Sequence, residues 1–158
     1  MTLHNRSDSA MPAGLGFHPW FPRNAESRYH ALHAGEWQTA ADNLPASLTL
    51  SDAPRDWWQG QPVGSRIVDT AYQGRLGAIA IDWPDRGMAL TMTPSDNLPF
   101  TVVYVPEGDD YFCVEPVSHL TDAINRGGMD LLAPGETMAV SLVLAVAGVG
   151  AWPSTSSG

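Results

Sequence analysis

The sequence predicts an all-β protein made of antiparallel strands joined by short turns. Glycine (15 residues) and proline (13) are both frequent in the chain of 158 residues, and there are six tryptophans. Frequent turn formers with abundant aromatics favour short strands over long helices. Several segments also alternate apolar and polar residues, as a strand with one buried face does. The length suits a single domain, because a chain of this size can bury about two thirds of its unfolded surface.

In chain order, the predicted elements begin with Thr2–Asn5, the end of a strand, and a short helix over Ser27–His33. A hairpin follows, in which Leu76–Trp83 and Gly87–Thr93 flank a turn that Pro84 opens. Proline presets the first turn position, and glycine at the end of the turn tolerates positive φ. The remaining predictions are strands over Phe100–Val105, Tyr111–Ser118 and Glu136–Ala147, a second short helix over Leu120–Asn125, and a frayed tail over 153–158.

Composition narrows the classes of function. The formal charge is −9, and all eight basic residues are arginine. This deficit argues against nucleic acid and against an anionic membrane surface as partners, because both need a dense basic face. A single cysteine, Cys113, excludes an internal disulfide or a cysteine-based zinc scaffold, and a reducing cytoplasm is the expected location. The N-terminal MTLHNRSDSA has no apolar core for a signal peptide, and the apolar run 138–152 is too short for a membrane helix and predicts a buried strand.

The first candidate site segment is PAGLGFHPWFPR, residues 12–23. It holds His18 in an irregular, glycine- and proline-rich backbone, two residues before the aromatic Trp20. Sugar sites combine polar groups with flat aromatic faces, because the C–H face of a pyranose stacks on such rings. Local sequence alone slightly favours the alternative of a histidine packed in a proline-rich loop.

Two further segments carry carboxylates. Glu115 lies in the predicted strand YFCVEPVS, where burial would raise its pKa and suit it to general base catalysis near neutral pH. The alternative, equally weighted, is a solvent-facing glutamate on an edge strand, which Pro116 favours. Asp69, in RIVDTAYQG, is expected either to accept hydrogen bonds from substrate hydroxyls or to begin a turn.

No cofactor motif is evident. The spacing of His30, His33 and Glu36 could align them on a helix as metal ligands, but no fixed metal motif matches and a solvated surface is the favoured interpretation. A glycine-rich phosphate loop and a nucleophile elbow are both missing from the sequence. We therefore expect neither a metal nor an organic cofactor.

Taken together, four segments resemble the aldose 1-epimerase (galactose mutarotase) family. They follow in the family's order and at family-like separations, and the similarity runs from Leu3 to about Val146. The segments are PAGLGFHPWFPR (12–23), IVDTAYQG (67–74), CVEPVSHLTDAIN (113–125) and LLAPGETMAV (131–140).

The resemblance implies an antiparallel β-sandwich that interconverts the α and β anomers of an aldose. It implies Glu115 as the catalytic base, which takes the proton of the anomeric hydroxyl, and His18 as the general acid, which protonates the ring oxygen. Asp69 matches a segment whose aspartate binds a sugar hydroxyl, although VDTAYQG departs from the commoner aromatic version. His119 matches the EPVSH-type motif and is expected to support the loop and Glu115, and Trp20 is expected to contact the sugar. The substrate class is a small hexose, neutral because no multi-arginine phosphate clamp is evident.

The resemblance covers the C-terminal part of the family's usual span. Residues 1–152 are therefore expected to form the C-terminal part of a mutarotase-like sandwich that is truncated at its N-terminus. Such a sandwich would expose apolar faces and an open edge, which a homodimer or a complementing N-terminal segment would cover. Two alternatives to an active epimerase stay open: a carbohydrate-binding module without catalysis, and an inactive fragment that lacks the N-terminal sugar ligands.

Overall fold

The computed structural model describes residues 1–148, and the predicted tail at 153–158 lies outside them. This part of the chain is almost entirely β-structure, with one single-turn helix, α1 (Ala123–Arg126), and two short 3-10 turns. The all-β prediction is confirmed. Its strands are β1 Thr2–His4, β2 Met11–Ala13, β3 Trp20–Pro22, β4 Arg28–Thr39, β5 Pro45–Asp56, β6 Val68–Trp83, β7 Met88–Pro94, β8 Phe100–Val105, β9 Tyr111–Val117, β10 Asp130–Leu132, β11 Thr137–Ala139 and β12 Leu142–Gly148.

The long strand β6 organises the main sheet. β4 pairs along one edge of β6, and the other edge is shared by β8, which pairs with Val68–Gln73, and β7, which pairs with Ile79–Trp83. β9 and then β3 extend the sheet beyond β8, β12 extends it beyond β7, and β5 lies outside β4. All of these pairings are antiparallel, as predicted.

The main core is formed by side chains on one face of this sheet together with the segment that follows β5. In β9, Phe112 and Val114 are fully buried in the core, so Cys113 and Glu115 point to the opposite face. Trp57 and Trp58 close the core, and the indole of Trp58 donates a hydrogen bond to the carbonyl of Val63 (2.9 Å). Alternation along β9 thus separates a packing face from a face that is free to carry polar groups.

Two small sheets hold the ends of the described chain together. β1 pairs with β11 and β2 pairs with β10, both antiparallel. The strand predicted at Thr2–Asn5 is therefore confirmed over Thr2–His4, and its partner is a distant segment. Sequence alone could not name that partner, since the pairing joins opposite ends of the described region.

The predicted hairpin is present, and its turn has the expected chemistry. Pro84–Arg86 form a 3-10 turn, and Gly87 ends it with φ +58°. The predicted first strand is the second half of β6, which begins earlier, at Val68. Gly74 and Gly77 adopt positive φ inside β6, so these two glycines mark irregularities in one long strand and not its boundary.

The helix predicted over Ser27–His33 is wrong, because these residues enter strand β4. Burial alternates along it, with Tyr29, Ala31 and His33 buried. Pairing to β5 on one side and β6 on the other fixes an extended backbone in spite of the helix-favouring alanine and leucine. The second helix prediction is only partly met, since α1 is a single turn that begins at Ala123.

The strand predicted over Glu136–Ala147 is two strands, β11 and β12, with Val140 and Ser141 between them. The expectation that the apolar run forms a buried strand is also wrong for β12. Val143, Leu144 and Val146 are 60%, 50% and 69% exposed, because β12 pairs only with β7 among the described strands. Strand β5 was missed in the sequence because its prolines and polar residues hide the alternation.

Candidate functional site

The loop that precedes β3 lies beside the C-terminal half of β9. Gly16 forms an isolated antiparallel bridge with Val117, and the amide of Phe17 donates to the carbonyl of Pro116 (3.0 Å). Beyond the loop, β3 pairs with β9 so that Trp20 lies opposite Cys113. These backbone contacts bring His18 over the strand that carries Glu115.

The imidazole of His18 and the carboxylate of Glu115 meet directly. Nε2 of His18 lies 3.2 Å from Oε1 of Glu115. On the other side of the ring, the indole nitrogen of Trp20 donates to Nδ1 of His18 (3.0 Å). An indole can only donate, so Nδ1 is the acceptor and Nε2 carries the proton of the neutral ring. The hydrogen-bonded chain therefore aims the His18 N–H at Glu115.

Glu115 lies on the sheet face opposite the core, but its environment is not that of an exposed edge residue. Its side chain is 14% exposed, while that of His18 is 58% exposed. Burial raises the pKa of Glu115; nearby His18 opposes this shift, and the charge of Asp69 adds to it. Of the two alternatives that the sequence left open, the solvent-facing edge glutamate is therefore wrong.

Asp69 belongs to the same face of the sheet. It lies in β6 opposite Tyr104 of β8, and Tyr104 in turn lies opposite Cys113 of β9. Directly paired residues share a face, so this row places the Asp69 carboxylate on the side of Glu115. Burial raises the pKa of Asp69. The alternative of a turn-starting aspartate is wrong, because the residue lies within a strand.

These groups surround one cavity of about 410 Å³. Four of the five predicted site residues, His18, Asp69, Glu115 and His119, line it. Its volume falls in the range of small-molecule sites, and several polar groups converge on it. The complete lining is His18, Asp69, Val102, Tyr104, Glu115, Val117, His119 and Thr121.

Trp20, the fifth predicted residue, borders the cavity through its contact with His18. Its side chain is 61% exposed, and one ring face stacks on Tyr111 at a centroid distance of 4.5 Å. The indole is thus held flat while much of its surface stays open to solvent. This arrangement provides an aromatic platform beside the polar groups.

His119 is held at the cavity by a close backbone approach. Its Nδ1 lies 3.0 Å from the hydroxyl of Ser118, and the Ser118 hydroxyl also accepts a hydrogen bond from the Leu15 amide (3.0 Å). Gly14 lies directly against the imidazole, where a Cβ would collide with Nδ1. Gly14, the first glycine of the Gly14-Leu15-Gly16 segment, is therefore required by packing against His119.

Three polar residues of this site were not predicted from the sequence. Tyr104 and Thr121 line the cavity, and Cys113 lies fully buried beneath it. Burial and the charges of Glu115 and Asp69 raise the pKa of the Cys113 thiol to about 11. Strand alternation was the available signal, since Cys113 is two residues from Glu115 and must share its face.

The interpretation of His30, His33 and Glu36 as a solvated surface is wrong. His33 is 1% exposed and Glu36 is 8% exposed, and both lie on β4 and not on a helix. Glu36 is held by Arg66 and by the hydroxyl of Tyr72 (2.7 Å). His33 and Glu36 thus form part of the packed interior, whereas His30 is partly exposed, and the three residues do not come together as one ligand set.

A second, larger depression of about 600 Å³ lies elsewhere on the molecule. Its lining is dominated by alanine and leucine side chains, with His30, Asp56 and Asp82 at one side. His30 lies 3.1 Å from Asp82 and 3.6 Å from Asp56 and so pairs with both. The cavity at His18 and Glu115 is the better candidate, because more groups of different chemistry converge there.

Comparison with known protein families identifies the class of this protein. The family model for aldose 1-epimerase matches residues 1–145, and the chain belongs to this family. This membership, with the galactose mutarotase-like structures described next, confirms the fold expected from the sequence.

The relatives that match are longer proteins, and the match covers only part of each. The uncharacterized protein YphB of Escherichia coli K12 is 29% identical over 92% of this chain and 54% of its own length. The crystal structure of a provisionally assigned aldose 1-epimerase from Escherichia coli K12 matches with a TM-score of 0.79 and 28% identity, over 93% of this chain and 54% of that one. A galactose mutarotase-like protein from Clostridium acetobutylicum has the same fold, with a TM-score of 0.78, 18% identity, and coverage of 93% and 51%. The chain thus spans about half the length of these relatives.

No helix within residues 1–148 combines the length and apolar character that crossing a bilayer requires.

Proposed function

We propose that this protein interconverts the α and β anomers of a free aldose, with Glu115 as the general base and His18 as the general acid. The observation that carries the proposal is the 3.2 Å approach of His18 Nε2 to Glu115 Oε1 at the wall of one cavity. Anomerisation requires one group that takes a proton and another that gives one. A carboxylate and an imidazole in contact provide both.

The reaction balances without any further reagent. The Glu115 carboxylate takes the proton of the C1 hydroxyl, and the bond between C1 and the ring oxygen breaks. Protonated His18, whose Nδ1 proton requires the Trp20 indole to turn aside, gives its Nε2 proton to the ring oxygen. The open-chain aldehyde turns about its C1–C2 bond. In the reverse steps the oxygen attacks the other face of C1, His18 recovers its proton, and Glu115 returns its proton to the C1 oxygen. The raised pKa of Glu115 strengthens it as a base.

The remaining cavity residues support sugar binding. The Asp69 carboxylate accepts hydrogen bonds from a ring hydroxyl, Trp20 supplies a stacking face, and His119 supports the loop and Glu115. Two carboxylates, those of Asp69 and Glu115, face the cavity and would repel a phosphate group. A neutral hexose is therefore the proposed substrate class.

Polarimetry on freshly dissolved α-galactose and α-glucose tests the proposal. We expect the protein to accelerate the change in rotation above the spontaneous rate. Glu115→Gln should lower kcat by about 10²- to 10⁴-fold, which is the usual contribution of a general base. Glu26→Gln is the matched control, because Glu26 is exposed in a turn and does not line the cavity. The proposal fails if the folded protein leaves the spontaneous rate unchanged for both sugars.

A carbohydrate-binding role without catalysis is the second candidate, and the exposed platform at Trp20 favours it. Quenching of tryptophan fluorescence by a hexose, with no acceleration of mutarotation, would support this candidate over the enzyme. If a hexose causes no quenching and the protein does not accelerate mutarotation, the chain is an inactive fragment.

A further inference from the structure

Cys113 has no part in the proposed reaction, yet it lies beneath the two groups that do. Cys113 and Glu115 are two positions apart on β9, so their side chains share the cavity face. One ligand atom from each of His18, Cys113 and Glu115 lies within 4.8 Å of the other two. This is the one such cluster of metal-binding side chains among residues 1–148.

We propose that His18, Cys113 and Glu115 form a binding site for a divalent transition-metal ion, with Zn²⁺ as the best match. An imidazole nitrogen, a thiolate and a carboxylate oxygen are the three ligand types that Zn²⁺ takes in proteins. The mixed set disfavours Mg²⁺ and Ca²⁺, which prefer oxygen ligands alone. Three protein ligands leave a fourth position for water from the cavity.

The geometry lies close to that of a tetrahedral site. Bond lengths of about 2.0–2.3 Å place neighbouring ligand atoms roughly 3.3–3.7 Å apart. Nε2 of His18 and Oε1 of Glu115 are already 3.2 Å apart. Cys113 and Glu115 are fixed by the sheet, whereas His18 is in a loop and its side chain is 58% exposed. Closing the site around a cation requires the three ligand atoms, which lie within 4.8 Å of one another, to reach these separations through movement of His18 and a rotamer change at Glu115 or Cys113.

Local charge favours a cation. The cavity is lined by the carboxylates of Glu115 and Asp69, and its lining includes no arginine. Binding would convert the Cys113 thiol to a thiolate and release its proton, as zinc sites with cysteine do. The resulting Zn²⁺–thiolate bond would lie at the buried floor of the cavity.

Trp20 opposes metal binding. Its indole N–H donates to Nδ1 of His18, and this holds the proton of the neutral ring on Nε2. To bind a metal through Nε2, the ring must carry its proton on Nδ1, where it would face the indole N–H. The indole must then turn aside, which its 61% exposure allows. Trp20→Phe should remove this competition and tighten Zn²⁺ binding by about two- to tenfold, the value of one net hydrogen bond.

This inference does not rest on the proposed epimerase activity, since it concerns metal binding alone. If both are correct, Zn²⁺ and the aldose exclude one another, because the metal would occupy the proposed base and acid. The two proposals fail separately: absence of Zn²⁺ binding in the wild-type protein would not refute the epimerase activity, and absence of mutarotation would not refute the metal site.

Titration of the reduced, metal-free protein with Co²⁺ tests the site by absorption spectroscopy. Co²⁺ adopts the geometry of Zn²⁺ sites and gives a near-ultraviolet charge-transfer band when a thiolate binds it. Cys113 is the chain's single cysteine, so the band reports on this residue. We expect one equivalent of Co²⁺ to produce the band and one equivalent of Zn²⁺ to abolish it.

Variants define the other ligands. His18→Ala and Glu115→Gln should each weaken Zn²⁺ binding at least tenfold, whereas His4→Ala and His30→Ala should not, because both histidines lie outside the cluster. Cys113→Ser should lose the band, and the wild-type titration suffices if that buried substitution prevents folding. A Co²⁺ complex without a thiolate band, or Zn²⁺ affinity that depends on His30 and not on His18, overturns the proposal.

Discussion

Gly16 lies so close to Val117 that a Cβ at position 16 would come within 2.6 Å of Cγ1 of Val117. The two residues are bridged through their backbones, and His18 follows Gly16 by two positions. The absence of a side chain at Gly16 therefore sets how closely the His18 loop approaches the strand of Glu115. Gly16, the second glycine of the Gly14-Leu15-Gly16 segment, therefore affects the site by setting the separation between the His18 loop and β9.

Gly16→Ala should lower the free energy of unfolding by about 1–3 kcal/mol, because Val117 and the loop must separate to admit the methyl group. It should also reduce mutarotation, since His18 would move away from Glu115. Urea denaturation and polarimetry measure the two effects. Gly64→Ala is the control, because Gly64 has negative φ and its nearest neighbour would be 3.8 Å from the new Cβ. Equal stabilities of the two variants would contradict the packing argument.

His33 should make stability depend on pH. Burial, helped by Arg75 and opposed by Asp56, lowers its pKa to about 4 from the ordinary value of 6.5. As the pH falls from 6.5 to about 4, His33 takes up a proton in the unfolded chain but not in the folded chain, so the free energy of unfolding falls. The slope from this residue approaches about 1.4 kcal/mol per pH unit.

His33→Gln tests this prediction, since it removes the titrating group while it keeps a polar side chain. Urea denaturation between pH 4 and 6.5 should show a shallower decline for the variant than for the wild type. His4→Gln, at an exposed position, is the control for the substitution itself. Parallel pH profiles for wild type and His33→Gln would rule out the assigned contribution.

The buried carboxylate of Glu36 depends on Arg66. Arg66→Met should lower the free energy of unfolding by about 2–4 kcal/mol, because Glu36 would lose its cationic partner in a buried site and keep only the hydroxyl of Tyr72 as a close partner. This value is below that for a fully buried pair, since Arg66 is 28% exposed. Thermal and urea denaturation measure it.

Arg86→Met is the comparison for that variant. Arg86 is 47% exposed and lies 3.9 Å from Asp85, and such surface pairs contribute at most about 1 kcal/mol. The interpretation of Glu36 as a buried, paired charge fails if both variants lose the same small amount of stability.

Trp20 should report sugar binding by fluorescence. An aldose in the cavity would displace water from the exposed face of the Trp20 indole. The other tryptophans Trp57, Trp58 and Trp83 are buried in the core, where a bound sugar does not reach them. We expect Trp20→Phe to remove most of the fluorescence change that galactose produces in the wild type. Trp37→Phe should retain it, since Trp37 bonds to Gln73 and does not line the cavity. An unchanged response in Trp20→Phe would place the sugar elsewhere.

Local patterns predicted the elements whose partners are close in sequence. The hairpin around Pro84 and Gly87 was correct because turn chemistry and strand alternation act over a few residues. The first half of β4 was predicted as a helix because its extended backbone is imposed by pairing with β5 and β6. β12 was expected to be buried because its residues are apolar, whereas burial depends on what packs against a strand and not on its composition.

The candidate site was likewise predictable only in part from the sequence. The all-β class followed from composition and strand alternation, and motifs that resemble one family indicated His18, Glu115, Asp69, Trp20 and His119. The folded structure was needed to show that His18 contacts Glu115, that Trp20 sets the protonated nitrogen of His18, and that the Cys113 thiol lies within 4.8 Å of ligand atoms of both. The physical reason is that these contacts depend on pairing between β3, β6, β8 and β9, and register between distant strands is set by packing across the whole sheet.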